Sequence, residues 1–194
     1  EDIDQRCMDS YFVMNMLVDF GARQFAVKDF YQELVVVAKS VGMAAKINQE
    51  FTHTKKNTAL LVTKEDHCLQ DLVRNIKAGV INANIKAVIG NQPDLGLWVK
   101  RQGLPFFYFP SDKKKVHEAK ILAKLAPLDI DLIVLARYMQ ILSPEFVFRY
   151  EGRIINIHPS LLPAFPGPRS YEQAYNKGVD YVGVTAHFVT TDLD

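Results

Sequence analysis

From residue 58 onward the chain alternates short apolar runs with segments whose apolar residues recur at helical spacing, and this alternation limits its fold more than any other feature. Thr58 to Thr63, Asn84 to Gly90, Pro105 to Phe109, Leu132 to Ala136, Arg153 to His158 and Tyr181 to Val189 read as strands. Between them, about His67 to Ala78, Asp94 to Gln102, Lys113 to Ala126, Pro144 to Tyr150 and Ser170 to Lys177 read as helices or helical turns. Strands separated by helices predict right-handed βαβ units, and hence an α/β, Rossmann-like architecture with a mostly parallel sheet. In such sheets the ligand site lies beyond the carboxyl ends of the strands.

Residues 1–50 differ in character. Tyr11 to Phe20 reads as a strand, Phe30 to Ser40 as a helix with Gly42 as its stop, and Met43 to Ile47 as another strand. A polar stretch from Asn48 to Asn57 follows, with residues 51–57 as the expected linker and 58–194 as the second domain.

Composition narrows the function classes. The 194 residues suit one or two domains, and a hydrophobic content of 48% is enough for a sizeable core. A net charge of +1 gives no electrostatic footprint for nucleic acid or a membrane surface. The longest apolar runs, Leu34 to Ala38 and Ile130 to Ala136, are far too short to span a bilayer. No charged-then-apolar leader follows Glu1, and Cys7 and Cys68 lack C-x-x-C spacing, so reduced thiols in a cytoplasmic protein are expected.

The richest local motif is Ile154-Ile155-Asn156-Ile157-His158-Pro159-Ser160-Leu161-Leu162-Pro163. Alternation along a strand puts Asn156 and His158 on one face, and Pro159 and Pro163 limit the loop that follows. An amide donor beside a titratable ring suits carbonyl chemistry. A hydrogen-bonded histidine that merely closes a strand end is the bland alternative. The histidines show no H-x-x-x-H spacing and the cysteines no C-x-x-C spacing, so no metal site is expected.

The run I-I-N-I-H-P-S-L-L-P-A-F-P-G, followed by T-A-H-F-V-T-T-D-L-D at 185–194, resembles the signature of the folate-dependent formyltransferase family. The resemblance implies the formyltransferase fold and a catalytic trio of Asn156, His158 and Asp194. It implies that Arg137, Tyr138, Met139, Gln140, Ile141 and Leu142 line the pterin pocket, with Met139, Ile141 and Leu142 as apolar walls and His187 as support. It implies 10-formyltetrahydrofolate as substrate, with no separate cofactor and no metal.

Within the family, three features resemble the deformylase branch. Where glycinamide ribonucleotide formyltransferases carry a glycine-rich phosphate loop, this chain has Thr63-Lys64-Glu65-Asp66-His67-Cys68-Leu69, whose two carboxylates would repel a phosphate. Leu135-Ala136-Arg137-Tyr138-Met139 is close to the deformylase form. The first fifty residues resemble the latter part of an ACT-type regulatory domain, ferredoxin-like in its full β-α-β-β-α-β pattern. That likeness implies a homo-oligomer and an amino-acid effector. His158-Pro159-Ser160-Leu161-Leu162-Pro163 departs toward the transferases, which keeps transfer of the formyl group to an amine as the alternative to hydrolysis. Family members continue past the aspartate with D/E-x-G-P-I, so the chain is expected to be the middle of a longer polypeptide.

Overall fold

The computed structural model describes residues 2–8, 11–17, 27–43, 55–167 and 169–191. The chain divides into two units, residues 1–53 and 54–194. That boundary falls inside the expected linker, and the first strand of the second unit opens at Lys56, two residues ahead of Thr58.

The first unit begins with β1 (Asp2–Met8), paired antiparallel to β2 (Tyr11–Leu17) from Asp2↔Leu17 to Met8↔Tyr11. β1 is an addition to the sequence reading. Its polar D-I-D-Q-R-C-M run carries no clean alternation, and pairing with the stronger β2 run supplies its order. On β2, Phe12, Met14 and Met16 share one face by period two, and all three are exposed. Helix α1 (Val27–Ser40) starts before Phe30 and closes at Gly42, whose φ of 75° is the left-handed conformation that ends helices. The strand expected over 43–47 lies, beyond Met43, outside the described residues.

In the second unit β3 (Lys56–Val62), α2 (His67–Lys77), β4 (Ala83–Gly90), α3 (Gly96–Arg101), β5 (Phe106–Tyr108) and α4 (Lys114–Leu125) follow one another. After a 3-10 turn at Ala126–Leu128 come β6 (Leu132–Ala136), α5 (Pro144–Arg149), β7 (Ile154–His158), α6 (Ser170–Asn176) and β8 (Thr185–Phe188). The strand order is β5-β4-β3-β6-β7-β8, parallel throughout except for the β7–β8 pair. The α/β expectation with a mostly parallel sheet therefore holds. The last strand is shorter than expected: only Thr185–Phe188 pairs with β7, and residues 180–184 approach it as irregular chain.

The central strands are apolar at consecutive positions because both sheet faces are covered. Ala59 and Leu61, Ala87 and Ile89, and Ile133 and Leu135 point to one face, where Ile121 and Leu125 of α4 and Phe146 and Val147 of α5 pack on them. Leu60 and Val62, Val88, and Val134 and Ala136 point to the other, under Leu69 and Val73 of α2 and Val99 of α3. Each fully buried Leu, Ile or Phe contributes about 1.5–3 kcal/mol relative to exposure. Gly90 and Gly96 admit the Phe106 ring between them. A Cβ on Gly90 would stand 2.7 Å from the Gln92 carbonyl and 2.8 Å from that ring. Asn156 and His158 follow Ile154 on the α4–α5 face, at the carboxyl end of β7.

Candidate active site

The site starts where β6 ends. Arg137 adopts φ 57°, a left-handed turn that swings the chain off the strand. Tyr138 then folds back into the core, where its hydroxyl hydrogen-bonds His117 Nε2. The Met139 amide donates to Thr63 Oγ1 at 3.1 Å, tying this turn to the end of the adjacent β3. Ser143 ends the segment as the N-cap of α5: its hydroxyl accepts from the Phe146 amide at 3.2 Å, with Pro144 at the first helical position.

Between these ends, Gln140, Ile141 and Leu142 form one wall of a cavity of about 120 Å³. Pro144 and Val147 of α5 and Leu135 of β6 continue that wall, and Asn156 supplies a polar side chain. Val189, Thr190 and Thr191 close the cavity from the chain after β8. These three arrive by a route that carboxyl-end reasoning does not describe. Because β8 runs antiparallel, the chain leaving it passes the start of β7, and the Val189 amide donates to the Ile154 carbonyl at 2.8 Å.

Asn156 and His187 are cross-strand partners. Asn156 Nδ2 lies 3.4 Å from His187 Nε2, and His187 Nδ1 lies 3.1 Å from the Phe188 carbonyl. A carbonyl only accepts, so the ring proton sits on Nδ1 and Nε2 accepts from the amide. His187 thereby orients the Asn156 side chain.

His158 is 8% exposed and is held by the loop it leads into. Its Nε2–H donates to the Phe165 carbonyl at 3.2 Å, which also accepts from Ser160 Oγ at 2.8 Å. Thr185 staples the same loop, accepting from the Leu162 amide at 3.0 Å and donating to the Ser160 carbonyl at 2.7 Å. Arg169 is exposed and sits 3.5 Å from Glu172, a solvated ion pair.

The structure thus brings Asn156, Gln140, Ile141 and Leu142 to one cavity, with His187 behind Asn156. His158, held on the Phe165 carbonyl, is not in the lining of this cavity, and Asp194 lies outside the described residues. Tyr138 is buried away from the cavity, and Met139, mostly exposed, lies outside its lining as does Arg137. Thr190, Thr191, Val147 and Leu135 line it although the sequence reading gave none of them a place in the pocket, since only long-range packing brings them there. Among the described residues no group of three His, Cys, Asp or Glu side chains is placed to hold a metal ion, and no helix is long and apolar enough to cross a membrane.

At the amino end of α2, where a phosphate would bind in a glycine-rich loop, stand Glu65 and Asp66, with Asp66 Oδ2 accepting from Gln70 Nε2 at 2.6 Å. Asp66 is the N-cap residue of α2, and its carboxylate turns along the helix to Gln70 rather than capping the end.

The formyl transferase family profile matches residues 56–194. The chain is 39% identical over 188 residues to the formyltetrahydrofolate deformylase of Haemophilus influenzae, covering 93% of this chain and 68% of that protein. It is 46% identical over 141 residues to the deformylase of Bacillus subtilis, covering 72% of this chain and 47% of the relative. Among solved structures it resembles a formyltetrahydrofolate deformylase from Burkholderia mallei, with a TM-score of 0.70 and 38% identity over 87% of this chain and 60% of that one. It also resembles glycinamide ribonucleotide transformylase 1 from Symbiobacterium toebii, with a TM-score of 0.69 and 30% identity over 78% of this chain and 74% of that one. The likenesses to the Haemophilus and Burkholderia deformylases reach well into the first unit.

Proposed function

The chain belongs to the formyl transferase family, and on that premise we propose that it hydrolyses 10-formyltetrahydrofolate to tetrahydrofolate and formate. The observation that carries this reading is Asn156: a side-chain amide oriented by His187 at the wall of a cavity built mostly from apolar residues, with Gln140 and two threonines. Attack of water on the formyl carbon turns the carbonyl oxygen into an oxyanion, and a preoriented N–H in an apolar wall is the group that stabilises it. In this reading protonated His158 is the second donor, its Nε2–H exchanging the Phe165 carbonyl for the oxyanion when substrate binds. Asp194 pairs with His158, favours its charged form and orients the attacking water as a base. The arylamine nitrogen leaves as the C–N bond breaks and takes its proton from His158, directly or through water.

Gln140, Ile141 and Leu142 are read as the wall against the pterin, with Arg137, Tyr138 and Met139 supporting that wall. The cavity of about 120 Å³ is below the ~300–1,000 Å³ of whole small-molecule sites, so it accounts for the part of the slot nearest the reacting carbon. Water rather than an amine is the acceptor in this reading because Glu65 and Asp66 stand where a phosphorylated amine would need an anion site. Transfer to a glycinamide ribonucleotide-type amine is the second reading, favoured by the His158-Pro159-Ser160-Leu161-Leu162-Pro163 form and by the likeness to a transformylase structure.

The proposal assigns no metal and no separate cofactor. It places the protein in the cytoplasm, in one-carbon metabolism feeding purine biosynthesis. It takes residues 1–50 as an ACT-type regulatory unit that pairs copies of the chain and binds an amino acid; calorimetry showing no heat with any amino acid would remove the regulatory part. Incubating the protein with 10-formyltetrahydrofolate alone tests the reaction. Formate release without an added amine is expected, and release only when glycinamide ribonucleotide is present would establish the second reading instead.

A further inference from the structure

Two successive buried polar side chains on α4 take no part in the chemistry above. His117 and Glu118 are 2% and 6% exposed, on a helix that otherwise sends Ile121 and Leu125 into the core. His117 Nε2 hydrogen-bonds the Tyr138 hydroxyl, and the two rings lie end to end with centroids 6.1 Å apart and planes 17° from parallel. Glu118 Oε1 accepts from the Ser143 amide at 2.8 Å. A buried carboxylate that accepts from a backbone amide is a poor way to gain stability, because well-packed apolar residues do as well or better. What the pair does achieve is geometric. Tyr138 and Ser143 are the two ends of the segment whose middle, Gln140 to Leu142, walls the cavity beside Asn156. The Met139-to-Thr63 bond adds a third tether between them.

We propose that His117 and Glu118 are positioning residues that clamp segment 138–143 at both ends and so hold Gln140, Ile141 and Leu142 in the shape that receives the pterin. This rests on the reading of that wall as the folate slot. A clamped segment enters binding already ordered; an unclamped one must be ordered by the ligand, which weakens binding. The loss therefore falls on Kd and KM more than on kcat, because neither residue touches the reacting carbon.

The test uses the full-length protein and its His117→Phe, Glu118→Ala and Glu118→Gln variants, with tetrahydrofolate as the binding probe, followed by fluorescence quenching. His117→Phe keeps an aromatic ring and loses the hydrogen bond; Glu118→Gln keeps an acceptor oxygen for Ser143. Loss of one buried hydrogen bond predicts a rise of about tenfold in Kd and KM for His117→Phe and Glu118→Ala, with Glu118→Gln restoring most of the affinity. Folded variants that bind like the wild type, or a loss confined to kcat, overturn the clamp. So does a Glu118→Gln protein as weak as Glu118→Ala. If Glu118→Ala does not fold, His117→Phe and Glu118→Gln decide by the same criteria. A wild-type protein that fails to bind tetrahydrofolate would refute the folate reading itself. Amide exchange at Met139 and Ser143 then tests the clamp independently: faster exchange in His117→Phe supports it, and unchanged exchange refutes it.

Discussion

Asn156 on β7 and His187 on β8 face each other across the antiparallel pair that closes the sheet, with Asn156 Nδ2 3.4 Å from His187 Nε2. The bond from His187 Nδ1 to the Phe188 carbonyl settles the tautomer, so the amide gives one N–H to the ring. Asn156 also lines the cavity. A carboxamide free to rotate would present N–H or oxygen to a carbonyl with similar ease; this one is oriented before substrate arrives.

Replacing Asn156 with Ala removes that donor. Formate release is expected to fall by about 10²–10³-fold in kcat, the usual effect of losing one oxyanion donor, while tetrahydrofolate binding stays near wild type. Turnover within a few-fold of wild type would take Asn156 out of the mechanism.

His187→Ala should act through Asn156 and so cost less, about five- to tenfold in kcat, the worth of one net hydrogen bond. The decisive comparison is the double variant. Residues acting through one another are not additive, so Asn156→Ala with His187→Ala should be no slower than Asn156→Ala alone. A further full drop would mean His187 has a separate role.

His158→Ala should reduce turnover to background while leaving folate binding intact, and Asp194→Asn should lower the rate by orders of magnitude in a protein that still melts cooperatively. Single-turnover formate assays with circular dichroism melts check both. Either variant turning over normally would break the proposed trio.

His117 carries a pH signature. Burial holds its pKa below the ordinary imidazole value, against the carbonyls of Phe109 and Pro110 and the Glu118 carboxylate, which favour the charged form, while Lys120 opposes it. The unfolded chain therefore takes up a proton near pH 6.5 that the folded chain does not, and stability is full above that pH and declines as pH falls toward the depressed folded value. Thermal melts from pH 8 to 5 should show this decline, and His117→Phe should flatten it. A parallel pH dependence in both proteins would contradict the assignment.

Gly90→Ala should destabilise the second unit, by about 1–3 kcal/mol as overpacking does, because the added Cβ meets the Gln92 carbonyl and the Phe106 ring at 2.7 and 2.8 Å. Urea denaturation measures it. Trimming the ring with Phe106→Leu in the same chain should recover part of the loss, and no recovery would place the clash on the backbone carbonyl.

The alternation of apolar runs and helical segments, read residue by residue, was enough to place β3 through β7 and their helices, because strand and helix periods are local properties of a few neighbouring residues. The same holds for Asn156 and His158, which one strand and its prolines bring to one face. Tertiary structure decided the rest. The antiparallel direction of β8 routes Val189, Thr190 and Thr191 into the cavity. Packing turns Tyr138 inward onto His117 and sets Glu118 under Ser143. It also pairs Asn156 with His187, 31 residues on. No local period encodes these contacts. Each depends on which chain segments the closed core brings within a hydrogen bond of one another, and a buried polar group finds its partner only once the surrounding water has been excluded.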